Sequence, residues 1–282
     1  MIFATLRIFT ILFFRGVGLA VYMFSKKRKN IALKNINICF SAKNKAMLMQ
    51  NKNIIKKSFI LLGQSLADFV LIRFYKKDKI KKYFKIKKLD LFKKALEQKR
   101  GLILSTAHFG SWELAAHFLA LNGFKSLILY NPVRKYEWLE RAIKNNREYS
   151  GNILIPKQNS FLSLYRHLKK GGIVLLASDQ NCYPPDGIKY KLFFHNAFLH
   201  TAFIKLSIKT GAPIVPGFVY TKGLFAYEMD ICDPIYPETF VTMKNPELEI
   251  LKIHTNMLEN AIIKGPENWL WTHRRFKGTI NY

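Results

Sequence analysis

The chain has 282 residues, 49% hydrophobic and 14% aromatic, with 46 Lys and Arg against 18 Asp and Glu for a formal charge of +28. Disordered chains pair high net charge with few aromatic residues, and 15 Gly and 10 Pro exclude a collagen-like or linker polymer. What remains is a globular chain, oily and cationic at once, long enough for a sizeable core.

The charge is unevenly placed. Residues 1–100 carry 25 basic and 4 acidic side chains, and residues 101–282 carry 21 and 14. A genome-wide preference for Lys is the alternative explanation of the excess, and it would not explain the asymmetry. Of the basic residues 35 are Lys and 11 Arg, a balance suited to diffuse attraction by a polyanion such as an anionic membrane surface. Nucleic-acid readers carry Arg-rich or aromatic recognition motifs, and none is found in the sequence. Cys39, Cys182 and Cys232 share no C-x-x-C spacing and read as reduced thiols.

In chain order, the first element is an oily segment over residues 1–24, interrupted by Arg7 and Arg15 and followed by Lys26-Lys27-Arg28-Lys29. It lacks a small-residue cleavage site and reads as retained, either a short bilayer anchor or an amphipathic helix lying in the interface. Arg15 is costly in a span, and the polybasic cluster is expected to face the anionic cytoplasmic leaflet. Residues 25–282 read as one domain. Its first part, 25–100, is basic and helical, with Ile54, Ile55, Phe59, Leu62, Leu66, Phe69 and Val70 at helical spacing and a Lys-dense stretch over Lys76–Lys94.

From Gly101 the pattern alternates. Strands are expected at Leu102–Ala107, Ser126–Tyr130, Asn152–Ile155, Ile173–Ala177, Ile214–Tyr220 and Leu224–Ile231. Helices are expected at Ser111–Asn122, Tyr136–Tyr149, Phe161–Lys170, Thr201–Lys209 and Pro246–Ile263, with an irregular stretch over Asp179–Asn196. This alternation predicts an α/β sheet with helices on both faces, whose ligands sit beyond the carboxyl ends of the strands.

Walker, G-x-S-x-G, H-E-x-x-H and strand–helix G-x-G-x-x-G signatures are absent from the sequence. One constellation stands out, Ser105-Thr106-Ala107-His108-Phe109-Gly110-Ser111-Trp112-Glu113-Leu114. The strand delivers His108 to its carboxyl end, Gly110 permits a tight turn, Ser111 can cap the next helix, and Glu113 falls in that helix's first turn. Folded back, the Glu113 carboxylate would orient one ring nitrogen of His108 and leave the other free to take a proton. That is base chemistry without a protein nucleophile, beside a helix N-terminus whose N–H groups can hold an oxyanion. The alternatives are a strand-end histidine merely bonded to a carboxylate, or a metal site completed by His117.

The H-x4-[D/E] motif resembles that of the glycerolipid acyltransferase superfamily, and His108-Phe109-Gly110-Ser111-Trp112-Glu113 is similar to its lipid A late acyltransferase branch. The resemblance continues through the hydrophobic N-terminus and Tyr130-x-Pro132 with Arg141 and Arg147. It extends over Leu168-x-x-Gly171 leading to Ser178-Asp179-Gln180, Thr210–Pro216, and Pro266-Glu267-Asn268-Trp269-Leu270-Trp271-Thr272-His273-Arg274-Arg275-Phe276-Lys277. It implies a mixed central sheet flanked by helices behind an N-terminal hydrophobic membrane helix. The implied reaction transfers an acyl chain from acyl carrier protein to a hydroxyl of a phosphorylated lipid A precursor. It would take place on the cytoplasmic face of the cell inner membrane, among anionic lipids, without metal or cofactor.

In that scheme His108 is the general base and Glu113 its orienting partner. Arg147 and Arg141 bind phosphate or polarise the carbonyl, and Asp179 and Gln180 shape the acceptor site. The closing Trp269, Trp271, His273 and Arg274 read as structural. The chain departs from the family pattern at Asn131, where Arg is usual and Arg134 is the candidate substitute. It departs again at Phe194-His195-Asn196, expected to line the acyl groove. Acceptors other than lipid A, such as a lysophospholipid or another glycolipid, and a non-catalytic role on membranes or nucleic acid, are the competing readings.

Overall fold

The computed structural model describes residues 2–40, 49–75, 77–133, 135–158 and 160–282, so Lys76 and Arg134 of the sequence reading lie outside the described residues. Its elements are α1 (Ile2–Phe24), α2 (Lys26–Phe40), α3 (Asn51–Val70), α4 (Lys77–Ile80), β1 (Phe84–Lys87) and α5 (Leu89–Glu97). There follow β2 (Leu102–Thr106), α6 (Trp112–Leu121), β3 (Ser126–Tyr130), α7 (Glu137–Glu148), β4 (Ile153–Pro156), α8 (Phe161–Lys169) and β5 (Ile173–Ala177). The chain closes with β6 (Gly187–Leu192), β7 (His195–His200), α9 (Ala202–Thr210), β8 (Ile214–Gly223), β9 (Ala226–Ile231) and α10 (Pro246–Lys264).

Seven strands form one mixed sheet in the order β1-β9-β8-β2-β5-β3-β4. All neighbours are parallel except the antiparallel pair β8–β9. The central strands β2 and β5 are largely buried, β5 wholly apolar and β2 apolar until Ser105 and Thr106, because helices cover both faces, the pattern of buried parallel strands. Alternation along β2 sends Leu102 and Leu104 into a core with Phe92 of α5 and Leu114 and Phe118 of α6. Ile103 points the other way, into a core with Phe40, Phe59, Phe203, Leu258 and Trp271. Burying each such side chain contributes about 1.5–3 kcal/mol.

Two elements differ from expectation. The Lys-interleaved stretch read as helix contains β1, which lies parallel to β9 at the sheet edge with Phe84 buried against Phe118 and Tyr227. The stretch read as irregular contains the β6–β7 hairpin, whose turn places Phe193 and Phe194 at positive φ. Phe194-His195-Asn196 forms the hairpin turn and the start of β7 and is not among the described residues lining the cavity at His108, with the His195 ring edge-on to Phe276.

Helix α1 contains a segment, Thr5–Phe24, long and apolar enough to cross a bilayer, with a mean hydropathy of 1.6. One of its faces packs on α3. The two helices approach so closely that a Cβ on Gly63 would stand 2.1 Å from the Phe14 carbonyl oxygen, and one on Gly18 2.2 Å from that of Phe59. Arg15, costly in a bare span, is accommodated on the protein side, and so is Arg7. Arg15 Nη1 donates to Gln64 Oε1 at 2.8 Å, and the buried Arg7 guanidinium sits 4.1–4.4 Å from the ring centroids of Phe225, Tyr75 and Tyr83. The other face leaves Leu6, Phe9, Leu12, Phe13 and Phe24 exposed, with Leu66 and Val70 at the α3 end and Phe74 just beyond it also exposed.

Gly63→Ala tests the crossing. Alanine gains about 1 kcal/mol in helix propensity, but the added methyl meets a backbone carbonyl that no rotamer change can move, an overpacking cost of about 1–3 kcal/mol. A lower melting temperature in detergent is expected, and an unchanged one would mean the helices are not packed this way.

Candidate active site

Parallel pairing of β2 with β5 sets the site. Thr106 is level with Ala177, so the residues two further along each strand, His108 and Asp179, emerge side by side at the carboxyl edge of the sheet. The turn after β2 needs glycine at Gly110, where φ is +55° and a Cβ would lie 2.1 Å from the Val219 carbonyl oxygen. The closing segment pins the turn from outside. Gly110 N–H donates to the Asn268 carbonyl (2.8 Å) and Leu270 N–H to that of His108 (3.1 Å).

His108 Nδ1 lies 2.8 Å from Asp179 Oδ1. The other carboxylate oxygen, Oδ2, accepts from Trp269 Nε1 at 2.9 Å, so both oxygens of this buried carboxylate are engaged. His108 Nε2 faces Gln180 Nε2 at 3.3 Å. Burial alone would lower the His108 pKa, but the Asp179 charge and hydrogen bond outweigh it and raise the value above 6.5. Burial likewise opposes ionisation of Asp179, yet the His108 charge and hydrogen bond and the Trp269 N–H bring its pKa down to about 2. Both shifts stabilise the folded pair. Asp179's share is lost as pH falls from its ordinary 3.8 to about 2, and His108's as pH rises through its raised value.

The expected contact of Glu113 with His108 is replaced. Glu113 turns to Arg147 of α7, whose Nε donates to both carboxylate oxygens (3.2 and 3.0 Å) while Nη2 donates to Oε1. A planar guanidinium fork satisfies a carboxylate better than one imidazole nitrogen does, and that nitrogen is already taken by Asp179. Glu113 still contributes its field, raising the His108 pKa, against Arg147, which lowers it. Ser111 also departs from expectation. It occupies the N-cap position of α6 without a side-chain cap bond, and its hydroxyl donates to Asp68 Oδ2 at 2.6 Å. His117 turns Nε2 to the Tyr75 carbonyl at 3.2 Å and stacks on Tyr149, so His108, Glu113 and His117 do not converge.

His108 opens on a cavity of about 400 Å³. Its polar wall carries Glu113, Tyr130, Asn131, Arg147, Lys157, Ser178, Gln180 and His200, and its apolar wall Ile128, Leu129, Leu175, Leu176 and Phe203. Arg141 is exposed on α7 and is not among the described residues lining this cavity. Burial lowers His200 to about 4, so its imidazole is neutral at neutral pH. Asp179, Gln180 and Arg147 are thus brought together with His108, and Glu113 joins them through Arg147. Trp269 was missed as a site residue: its only signal was its place in the closing segment, which reads equally well as packing. Ser178 had only its place in the Ser178-Asp179-Gln180 stretch, and Lys157 and His200 carried no signal of their own.

A profile of the family described as bacterial lipid A biosynthesis acyltransferase matches residues 4–278 of the chain. The lipid A biosynthesis palmitoleoyltransferase of Escherichia coli is 28% identical over 266 residues, covering 93% of this chain and 82% of that protein. The lipid A biosynthesis lauroyltransferase of the same organism is 24% identical over 265 residues, covering 93% and 83%. The crystal structure of the 1-acyl-sn-glycerophosphate (LPA) acyltransferase from Thermotoga maritima superposes with a TM-score of 0.41 and 12% identity, over 90% of this chain and 97% of that one.

Proposed function

Because the chain belongs to the bacterial lipid A biosynthesis acyltransferase family, we propose that it transfers a fatty acyl chain from acyl carrier protein to a hydroxyl of a phosphorylated lipid A precursor. The observation that carries the chemistry is the His108–Asp179 pair at the cavity mouth. Asp179 holds Nδ1–H, which leaves Nε2 unprotonated and directed to the cavity. Nε2 takes the proton of the acceptor hydroxyl as its oxygen attacks the thioester carbon. Collapse of the tetrahedral intermediate expels the thiolate, which recovers that proton from the imidazolium. Asp179 stabilises the imidazolium in between, and Trp269 keeps Asp179 aimed.

The cavity walls divide the remaining tasks. Its Leu and Ile side chains suit the first carbons of an acyl chain, while Arg147, held in place by Glu113, and Lys157 offer cations for phosphate. Gln180 sits beside the reacting nitrogen, where it meets the acceptor. The exposed apolar residues of α1 and the end of α3, together with the Lys26–Lys29 cluster that follows α1, set the enzyme on the cytoplasmic face of the inner membrane, where acidic carrier protein and phosphorylated glycolipid meet it.

The test supplies the purified chain with acyl–acyl carrier protein and, side by side, a lipid A precursor, a lysophospholipid and a neutral glycolipid. Acyl transfer to the lipid A precursor is expected. Preference for the lysophospholipid would replace the acceptor assigned here, and no transfer to any of them would overturn the reading.

A further inference from the structure

Behind the base lies a second polar chain that the mechanism above does not use. Fully buried Ser105 of β2 places its Oγ 2.7 Å from His254 Nε2 of α10 and 3.1 Å from Ser178 Oγ. Ser178 follows β5 directly, is held by donation of its N–H to the Thr106 carbonyl at 3.0 Å, and lines the same cavity as His108. His254 is 5% exposed and burial pushes its imidazole down to about 4, so it is neutral. A neutral imidazole carries one N–H. Among the described residues no protein group accepts from Nδ1, so a proton there makes no bond within the protein, whereas on Nε2 it donates to Ser105.

That tautomer fixes the direction of the whole chain. His254 Nε2–H donates to Ser105, the Ser105 hydroxyl donates to Ser178, and the Ser178 hydrogen is left to point into the cavity, polarised by the bonds behind it. A preorganised donor is of most use where negative charge develops.

We propose that Ser178 donates the hydrogen bond that receives the charge on the thioester carbonyl oxygen during acyl transfer, its hydroxyl aimed into the cavity by the buried Ser105–His254 chain. The proposal rests on the acyl-transfer reading of the site. As the acceptor oxygen bonds to the carbonyl carbon and its proton passes to His108 Nε2, the C=O π pair moves onto oxygen and accepts from Ser178. When the C–S bond breaks, that pair re-forms the carbonyl. Ser178 keeps its proton throughout. It touches the reacting atoms, and Ser105 and His254 are positioning residues.

The experiment measures release of free thiol from acyl–acyl carrier protein, a readout that follows the donor whatever the acceptor, on the full chain in detergent. Ser178→Ala is expected to lower kcat about 10²-fold with KM for donor and acceptor within about two-fold, the loss typical of one oxyanion donor. Ser105→Ala and His254→Phe each break the chain behind Ser178. Each is expected to cost about 3–10-fold in kcat alone and nothing further once Ser178 is Ala, because coupled residues are non-additive. Melting curves establish which variants fold, and one folded chain-breaking variant suffices. Ser178→Ala with wild-type kcat, or a chain-breaking variant that costs the same factor with and without the Ser178 hydroxyl, would overturn the proposal. His108→Ala run alongside separates the two readings: its full activity would remove the base, not the oxyanion donor.

Discussion

Replacing His108 by Ala is expected to lower kcat/KM for acyl transfer by about 10³–10⁴-fold while leaving the melting temperature within a few degrees of the wild type. The ring is partly exposed at the cavity mouth, so its removal opens little core. What is lost is the group that takes the acceptor proton, and among the described residues of the cavity His200, brought down to about 4 by burial, is too weak a base to replace it. Glu113 is neutralised by Arg147, and Asp179 is buried with both oxygens engaged. Its pKa of about 2 also makes it a poor proton acceptor. Activity near that of the wild type in this variant would remove His108 from the chemistry.

The second large effect separates the two carboxylates. Asp179→Asn keeps the shape of the site but allows the new amide to donate to Nδ1, which moves the ring proton to Nε2 and blinds the base. A loss of about 10²–10⁴-fold in kcat is expected. The pH profile gives an independent sign. His108 works only when neutral, and Asp179 raises its pKa above 6.5, so kcat/KM for wild type rises with pH through that raised value. In Asp179→Asn the residual activity should climb at lower pH, because the charge favouring imidazolium is gone. Glu113→Gln is expected to keep kcat within about ten-fold and to act mainly by raising KM for the phosphorylated acceptor, since it frees the Arg147 fork. A larger kcat loss in Glu113→Gln than in Asp179→Asn would restore Glu113 as the partner of the base.

The contrast between these residues shows what can be read from the chain alone. His108 was legible because a strand that opens on an apolar run, Leu102–Leu104, delivers it to a glycine turn, a local pattern. Its partner was not. Asp179 lies 71 positions away, and the two meet because β5 pairs directly with β2, a choice made by the packing of a whole sheet. Glu113, five positions on, looked better placed until Arg147 from α7 arrived as a competitor. The same holds for the fold. The alternation after Gly101 located the central strands, because buried parallel strands are continuous apolar runs.

Edge elements escaped. In β1 lysines alternate with Phe84 and Ile86 at a spacing that four residues cannot separate from a helix. The β6–β7 turn uses Phe193 and Phe194 at positive φ in place of the Gly or Asn that signals a hairpin. Arg15 reads as costly only against lipid, whereas the amide of Gln64 turns it towards protein, as the aromatic rings around Arg7 do for that residue. That places the charge asymmetry in context: the lysines crowd the part of the chain that carries the exposed apolar face, and the ion pairs of the site lie elsewhere.

The most direct measurement is mass spectrometry of lipid A from cells carrying the wild-type chain, the His108→Ala chain, or neither. Lipid A one fatty-acyl mass heavier with the wild type than in both other strains is the predicted result. Identical lipid A in all three, or full acylation with His108→Ala, would contradict the assignment.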